Sequence, residues 1–235
     1  MSPFADVPAI VGHRGAPRAA PENSLAACHA AVAQGAAWVE VDARLTADGV
    51  VVLRHDARLE DGSALVDHPA QDLPGLARLA DLLEALPAGI GVDVELKALP
   101  GEPDHDPQRG LVGGVVDVVQ AAAPRPLLLT SFDLEAIRLA GQRLPTVPTG
   151  FLYGGGLAAE PAAIIAAEAG ASVVCPPISV PLDAQAVKEV HHQGLALLVW
   201  TVNDPCQATA LAEAGVDALC TDVPGELAAA LGLRR

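Results

Sequence analysis

An α/β chain closed into a (β/α)8 TIM barrel, with a small β-hairpin after its second strand, is what three features of this sequence predict. Short β-branched runs alternate with Ala- and Leu-rich stretches almost to the end, a pattern that implies parallel strands joined by helical crossovers. Nine runs read as strands, but the second and third are separated only by "TADG". A parallel crossover needs about a dozen residues or more, so this pair is a hairpin turning at Asp48-Gly49. Setting aside its return strand leaves eight parallel strands, each followed by a helix, the count that a closed barrel requires. An open doubly wound sheet is the weaker alternative, because no G-x-G-x-x-G follows a strand.

The elements follow in order. "AIVGH" (9–13) is the first strand, and "PENSLAACHAAVAQGA" (21–36) is a helix capped by Asn23 or Ser24 and stopped at Gly35. "WVEVDARL" (38–45) and "VVVLRH" (50–55) form the hairpin, and "GLARLADLLEAL" (75–86) is the crossover helix. "IGVDVEL" (90–96) leads through the long polar stretch "KALPGEPDHDPQRG" (97–110), read as a surface loop, into the helix "QRGLVGGVVDVVQAAA" (108–123). "PLLLTSF" (126–132) is followed by "DLEAIRLAG" (133–141), with Asp133 as its cap. "TGFLYG" (149–154) pairs with "AEPAAIIAAEAG" (159–170), and "ASVVCP" (171–176) with "LDAQAVKEVHHQG" (182–194). "LALLVWTV" (195–202) precedes the helix "CQATALAEAG" (206–215), which opens on the cap Asp204 and Pro205. "DALCTD" (217–222) and "GELAAALG" (225–232) close the series, and no domain boundary interrupts residues 1–235, which are expected to form one barrel domain.

The bulk numbers narrow the function. Twenty-nine acidic residues against 14 basic ones leave a net charge of -15. A phosphate backbone needs a basic surface to neutralise it, so nucleic acid is excluded as a partner, and the same charge opposes stable association with anionic membranes. A small anionic substrate in one locally positive pocket is compatible, which makes the scarce lysines, Lys97 and Lys188, informative. Cys28, Cys175, Cys206 and Cys220 stand apart among apolar residues and read as ordinary buried thiols. The start "MSPFADVPAIVGHRG" has no basic and apolar leader, and no stretch has the length of a membrane span; the expectation is a cytoplasmic protein. Oligomeric state is not legible.

In a barrel the active site lies at the C-terminal strand ends, where the polar residues of this chain gather. The first strand ends at His13, Arg14 and Gly15, glycine allowing the backbone to turn sharply. Strand alternation places Glu40 and Asp42 on one face, with Val39, Val41 and Ala43 opposite, and places Asp93, Glu95 and Lys97 together on the next parallel strand. With the hairpin turn at Asp48-Gly49, paired residues sum to roughly 95 to 97, which folds His55 back beside Glu40. Glu40, Asp42 and Glu95 are hard oxygen ligands suited to one divalent cation, Mg2+ or Ca2+. His13 and His55 suit either a softer metal or an acid and a base, and Arg14 and Lys97 offer donors to phosphate oxygens. Together this is equipment for cleaving a phosphate ester.

The motifs "GHRG", "PENS", "VEVDARLTADGVVVLRHD", "ELK", "LTSFD", "VWTVND" and "GVDALCTDVP", in this order through nearly the whole chain, resemble the glycerophosphodiester phosphodiesterase family, of the phosphatidylinositol-phospholipase-C-like type. The resemblance implies a metal-dependent barrel enzyme that hydrolyses small glycerophosphodiesters to glycerol 3-phosphate and an alcohol. It makes Glu40, Asp42 and Glu95 the metal ligands, His13 and His55 the acid-base pair, and Arg14 and Lys97 the phosphate contacts. Glu22 and Asn23 would orient the first loop, while Trp200 and Phe132 would supply an apolar wall on the glycerol side. Two departures bear on specificity: the stretch after "RHD" is short, and Asp93 stands where asparagine is frequent. A phosphodiesterase acting on a lysophospholipid or a phosphoinositide-like lipid is the alternative, and a non-catalytic barrel binding phosphorylated metabolites a lesser one.

Overall fold

The computed structural model describes residues 2–5, 7–97 and 99–233. Strands β1 (Ala9–Gly12), β2 (Trp38–Leu45), β3 (Val51–Leu53), β4 (Gly91–Leu96), β5 (Leu127–Ser131), β6 (Thr149–Leu152), β7 (Val173–Cys175), β8 (Ala196–Val199) and β9 (Ala218–Thr221) form one sheet. All neighbours are parallel except β2 and β3, and pairings of β1 with both β2 and β9 close the ring. That closure rules out the open doubly wound sheet. Among the described residues eight α-helices cover the outside: α1 (Leu25–Ala33), α2 (Leu79–Ala85), α3 (Gly110–Ala121), α4 (Leu134–Arg143), α5 (Ala159–Glu168), α6 (Ala184–His192), α7 (Pro205–Ala214) and α8 (Pro224–Ala230).

Local chemistry accounts for the helix ends. Ser24, rather than Asn23, caps α1 by accepting from the Ala27 amide, and Asp133 and Asp204 cap α4 and α7 as expected. Asp183 caps α6 by accepting from Gln185 and Ala186. Gly215 ends α7 at φ 95°, a left-handed conformation that a side chain would disfavour.

Two apolar layers hold the barrel. Outward-facing residues such as Val39, Val41, Val94, Leu129 and Leu197 pack under the helices. Inside, Val11, Leu128, Leu152, Val173 and Leu198 fill the lumen, and Phe4 stacks edge-on against Trp38 at the N-terminal end with centroids 5.3 Å apart. Cys28, Cys175 and Cys220 are buried, but Cys206 is exposed; it lies on the solvent side of the first turn of α7, where only Ala208 faces inward. Among the described residues no helix is long and apolar enough to cross a membrane.

The hairpin has the expected register, with Ala43 opposite Leu53 and Leu45 opposite Val51. Its ladder is shorter than the run 50–55, because only the Arg54 amide continues it, donating to the Asp42 carbonyl. Thr46 and Asp48 knit the turn through side-chain hydrogen bonds, with Gly49 at φ 79°.

Candidate active site

The sheet register sets the charged residues level with one another. Glu40 lies opposite Asp93, and Asp42 opposite Glu95, so alternation turns all four into the barrel. Ligand oxygens of Glu40, Asp42 and Glu95 fall within 4.8 Å of one another. Glu40 Oε1 is buried without a hydrogen-bond partner. Asp42 Oδ1 and Glu95 Oε1 meet the Lys97 ammonium, at 3.0 and 2.6 Å. Three converging carboxylates with unfilled lone pairs suit a hard divalent cation, so the residues fit such an ion.

The electrostatics of the cluster follow from burial. Desolvation, then repulsion from Asp42 and Glu95, holds Glu40 well above the ordinary carboxylate range. Burial also pushes up Asp93, to whose Oδ1 Thr130 donates at 2.9 Å. Glu95 is raised by burial despite the opposing pull of Lys97. Burial works against ionised Asp42 as well, yet Lys97 and Arg14 outweigh it and lower its pKa. Lys97 itself is raised, its burial being more than offset by Glu95 and Asp42.

The first loop is built around Asp42 and Glu40. Arg14 stands at φ 50°, a left-handed conformation that side chains rarely adopt. There its amide donates to Glu40 Oε2 at 2.8 Å. Its Nε lies 3.2 Å from Asp42 Oδ2, and its Nη1 bonds Glu22. Asn23, at φ 57°, donates to Asp42 Oδ2 and accepts from the Asp42 amide. Gly15 has no alternative: at φ 84° an added Cβ would sit 2.5 Å from the Ala27 backbone.

A cavity of about 280 Å3 opens at this end of the barrel, lined by the polar His13, His55, Arg14, Glu40, Glu95 and Lys97 and by the apolar Phe132, Leu198 and Trp200. Phe132 meets Trp200 edge-on with centroids 5.7 Å apart, and the Trp200 indole donates to the Cys175 carbonyl. Both histidines thus reach one cavity, as their positions in the chain predict, while Glu22 and Asn23 stand behind its wall. A larger hollow, of about 680 Å3, lies at the opposite end around Ala36, Trp38 and Ile90 and has no charged side chain in its lining.

Three features escaped the sequence. His13 Nδ1 lies 2.7 Å from Asp222 Oδ1, and Asn203 donates to the other Asp222 oxygen at 2.6 Å. The hydrogen bond from His13 holds Asp222 below the ordinary carboxylate range. His55 Nδ1 makes the matching contact with its neighbour Asp56, also 2.7 Å. An ionised carboxylate only accepts, so each Nδ1 carries its hydrogen, which leaves Nε2 of each ring as the atom that can take or give a proton. Third, Arg44 is buried beside the cavity, bonded to the His55 carbonyl and to Glu102 and Asp104. The stretch 97–110 is the expected surface loop over much of its length but not throughout: Lys97 and the Asp104 side chain are buried, and Leu99 and Glu102 join the cavity wall. "TDVP" and "VWTVND" carried Asp222 and Asn203 in plain view, but nothing in their spacing pairs them with His13.

Comparison with known proteins gives a consistent result. The model of the glycerophosphoryl diester phosphodiesterase family matches residues 13–226. The fold superposes on a phosphodiesterase of Oleispira antarctica, solved with the product sn-glycerol-3-phosphate, with a TM-score of 0.86 and 27% identity over 99% of this chain and 100% of that one. It is similar to a glycerophosphodiester phosphodiesterase of Agrobacterium tumefaciens, with a TM-score of 0.76 and 25% identity over 94% and 99% of the two chains. In sequence it is 26% identical to the glycerophosphodiester phosphodiesterase of Caldanaerobacter subterraneus over 93% of this chain and 95% of that protein.

Proposed function

The chain belongs to the glycerophosphoryl diester phosphodiesterase family, and from that premise we propose that it hydrolyses small glycerophosphodiesters to glycerol 3-phosphate and an alcohol by acid-base catalysis between His13 and His55. The observation that carries the reading is the convergence of both histidines on the cavity lined by Glu40 and Glu95 of the three-carboxylate cluster. Glu40, Asp42 and Glu95 would hold one Mg2+ or Ca2+, which neutralises charge on the phosphate oxygens and polarises the phosphorus when bound.

The chain's own groups do the rest. Arg14 donates to a non-bridging oxygen, and Glu22 and Asp42 keep its guanidinium in place. Lys97 adds a second positive charge at the same wall. One imidazole Nε2 takes the proton of the glycerol 2-hydroxyl as that oxygen attacks phosphorus; the other protonates the departing alkoxide. The bond to the alcohol breaks and a cyclic phosphate forms. Water then opens the ring with the two imidazoles in exchanged roles, which balances as one water consumed per diester cleaved. Asp222 and Asp56 fix which nitrogen of each imidazole faces the cavity. Phe132 and Trp200 offer the glycerol carbons an apolar wall.

The test is a substrate panel: glycerophosphocholine, -ethanolamine, -inositol and -glycerol beside lysophosphatidylcholine, with release of glycerol 3-phosphate from the small diesters and of choline from the lipid measured with and without chelator. Metal-dependent release from the small diesters is expected; turnover of the lipid alone overturns the reading. His13→Ala and His55→Ala should each lower kcat/KM by about 10²-fold or more, and a bell-shaped pH profile should flatten on one limb in each. Titration calorimetry with Mg2+ and Ca2+ in turn identifies the preferred ion.

A further inference from the structure

Arg44 is buried among carboxylates and backbone on the side of the cavity where the hairpin leaves the barrel, and the reaction just described gives it no part. Only 1% of its side chain is exposed. Its Nε and Nη2 donate to the His55 carbonyl at 2.9 and 2.5 Å. Its Nη1 donates to Asp104 Oδ2 at 2.5 Å and lies 2.9 Å from Glu102 Oε2. One planar guanidinium therefore ties the end of β2 to two segments that have no ladder of their own at that point: the residue just past the hairpin and the loop after β4. Asp104 is almost as buried, with 4% of its side chain exposed. Two desolvated groups of opposite charge in such contact define one geometry and penalise any other, because separating them leaves a buried charge unpaired.

We infer that Arg44 is a positioning residue: its forked contact with the His55 carbonyl sets where the His55 imidazole stands in the cavity, while its contact with Asp104 and Glu102 draws the loop bearing Leu99 and Glu102 over the same cavity. The argument rests on the proposed role of His55. Beyond Leu53 the hairpin has a single ladder bond, from Arg54, so the peptide that carries the imidazole has no sheet to define it. The guanidinium supplies that definition, since a rigid fork holds a carbonyl oxygen more narrowly than an ammonium does. A misplacement of about 1 Å at a catalytic group costs on the order of 10²-fold in rate.

Three variants in the full chain test this: Arg44→Gln, Arg44→Lys and Asp104→Asn, each measured by steady-state kinetics on glycerophosphocholine and by the His55 imidazole resonance in a substrate-free NMR spectrum. Arg44→Gln should lower kcat by about 10²-fold with little change in KM, and the His55 resonance should broaden or split. Arg44→Lys, which keeps the charge but loses the fork, should recover part of kcat. Asp104→Asn should raise KM several-fold, leave the His55 resonance sharp and make the 97–109 loop a new protease site. The inference is overturned if a folded Arg44 variant keeps wild-type kcat and an unaltered His55 resonance. It is equally overturned if Arg44→Gln and Asp104→Asn lose activity in step with Tm alone; Arg44→Lys carries the test should Arg44→Gln fail to fold. If wild-type protein cleaves no diester, or His55→Ala keeps its activity, the proposed function fails, whereas the NMR comparison still reports whether Arg44 places the imidazole.

Discussion

The barrel interior has two unlike halves. Above the floor made by Phe4 and Trp38, the inward positions of β2 and β4 carry Glu40, Asp42, Arg44, Asp93 and Glu95, with Lys97 just past the end of β4. The inward positions of β5 to β9 carry Leu128, Leu152, Val173, Cys175, Leu198 and Cys220, and Thr130 is the polar exception facing Asp93. The two halves divide labour. The charged half is a set of mutually dependent groups, in which each carboxylate is tolerable only because Lys97, Arg14 or a proton offsets it. The apolar half is independent packing whose low polarisability strengthens every charge interaction across from it. Chemistry should be lost by touching the first half and stability by touching the second.

The sharpest break comes from Glu40→Gln. Losing one ligand should cost turnover on the order of 10³-fold, several kcal/mol of transition-state stabilisation. The metal-free protein should instead gain stability, because a repelled, desolvated carboxylate is gone. Kinetics and calorimetry on the same preparation read both signs. Leu128→Ala, in the other half, should do the converse. A fully buried leucine truncated in the lumen costs about 2–5 kcal/mol of stability, while kcat per folded molecule stays close to wild type.

A third contrast uses pH. Glu40, Asp93 and Glu95 have raised pKa values in the folded chain, so the native state binds their protons more tightly than the unfolded state does. Their favourable contribution is present below the unfolded value of about 4 and declines as pH rises toward each folded value. Asp42 is lowered and is ionised throughout that window, so it does not cancel the trend. In chelator, Tm should therefore be higher near pH 5 than near pH 8, by a few degrees, and a saturating divalent cation should narrow the gap. A flat profile in chelator would mean that the carboxylates are better neutralised than their burial implies. The smallest effect is expected from Phe132→Leu. It forfeits an edge-on aromatic contact with Trp200, worth about 0.5–1.5 kcal/mol, and should raise KM a few-fold with kcat unchanged.

How much of this was legible follows from the range of each signal. Strand order, the hairpin and its register came from local alternation and turn chemistry, and Glu40, Asp42 and Glu95 came with them, since a two-residue period puts each on a known face. The helix caps were legible for the same local reason, apart from Asp183 and the choice of Ser24 over Asn23; Asn23 is committed to Asp42 across the loop. What escaped depends on contacts remote in the chain. Asp222 meets His13 because β9 adjoins β1 in the closed ring, and Asp104 meets Arg44 because a loop folds back over the mouth. Charge in that loop read as solvent-facing, whereas the buried guanidinium draws the Asp104 side chain inward. Cys206 misled in the opposite direction, since an apolar neighbourhood in sequence says nothing of which side of a first helical turn a residue occupies.

The hairpin has a consequence for descent. Among the strands, β3 pairs only with β2, while the ring is closed beneath it by Val11 with Trp38 and Gly12 with Val39. His55 therefore rides on an appendage, not on a stave. Lineages can lengthen, trim or recolour the stretch from Ala57 to Leu76 without breaking any barrel pairing, provided that Asp56 and the handhold at the His55 carbonyl are kept. Inheritance can in this way vary that stretch while the ring stays permanent.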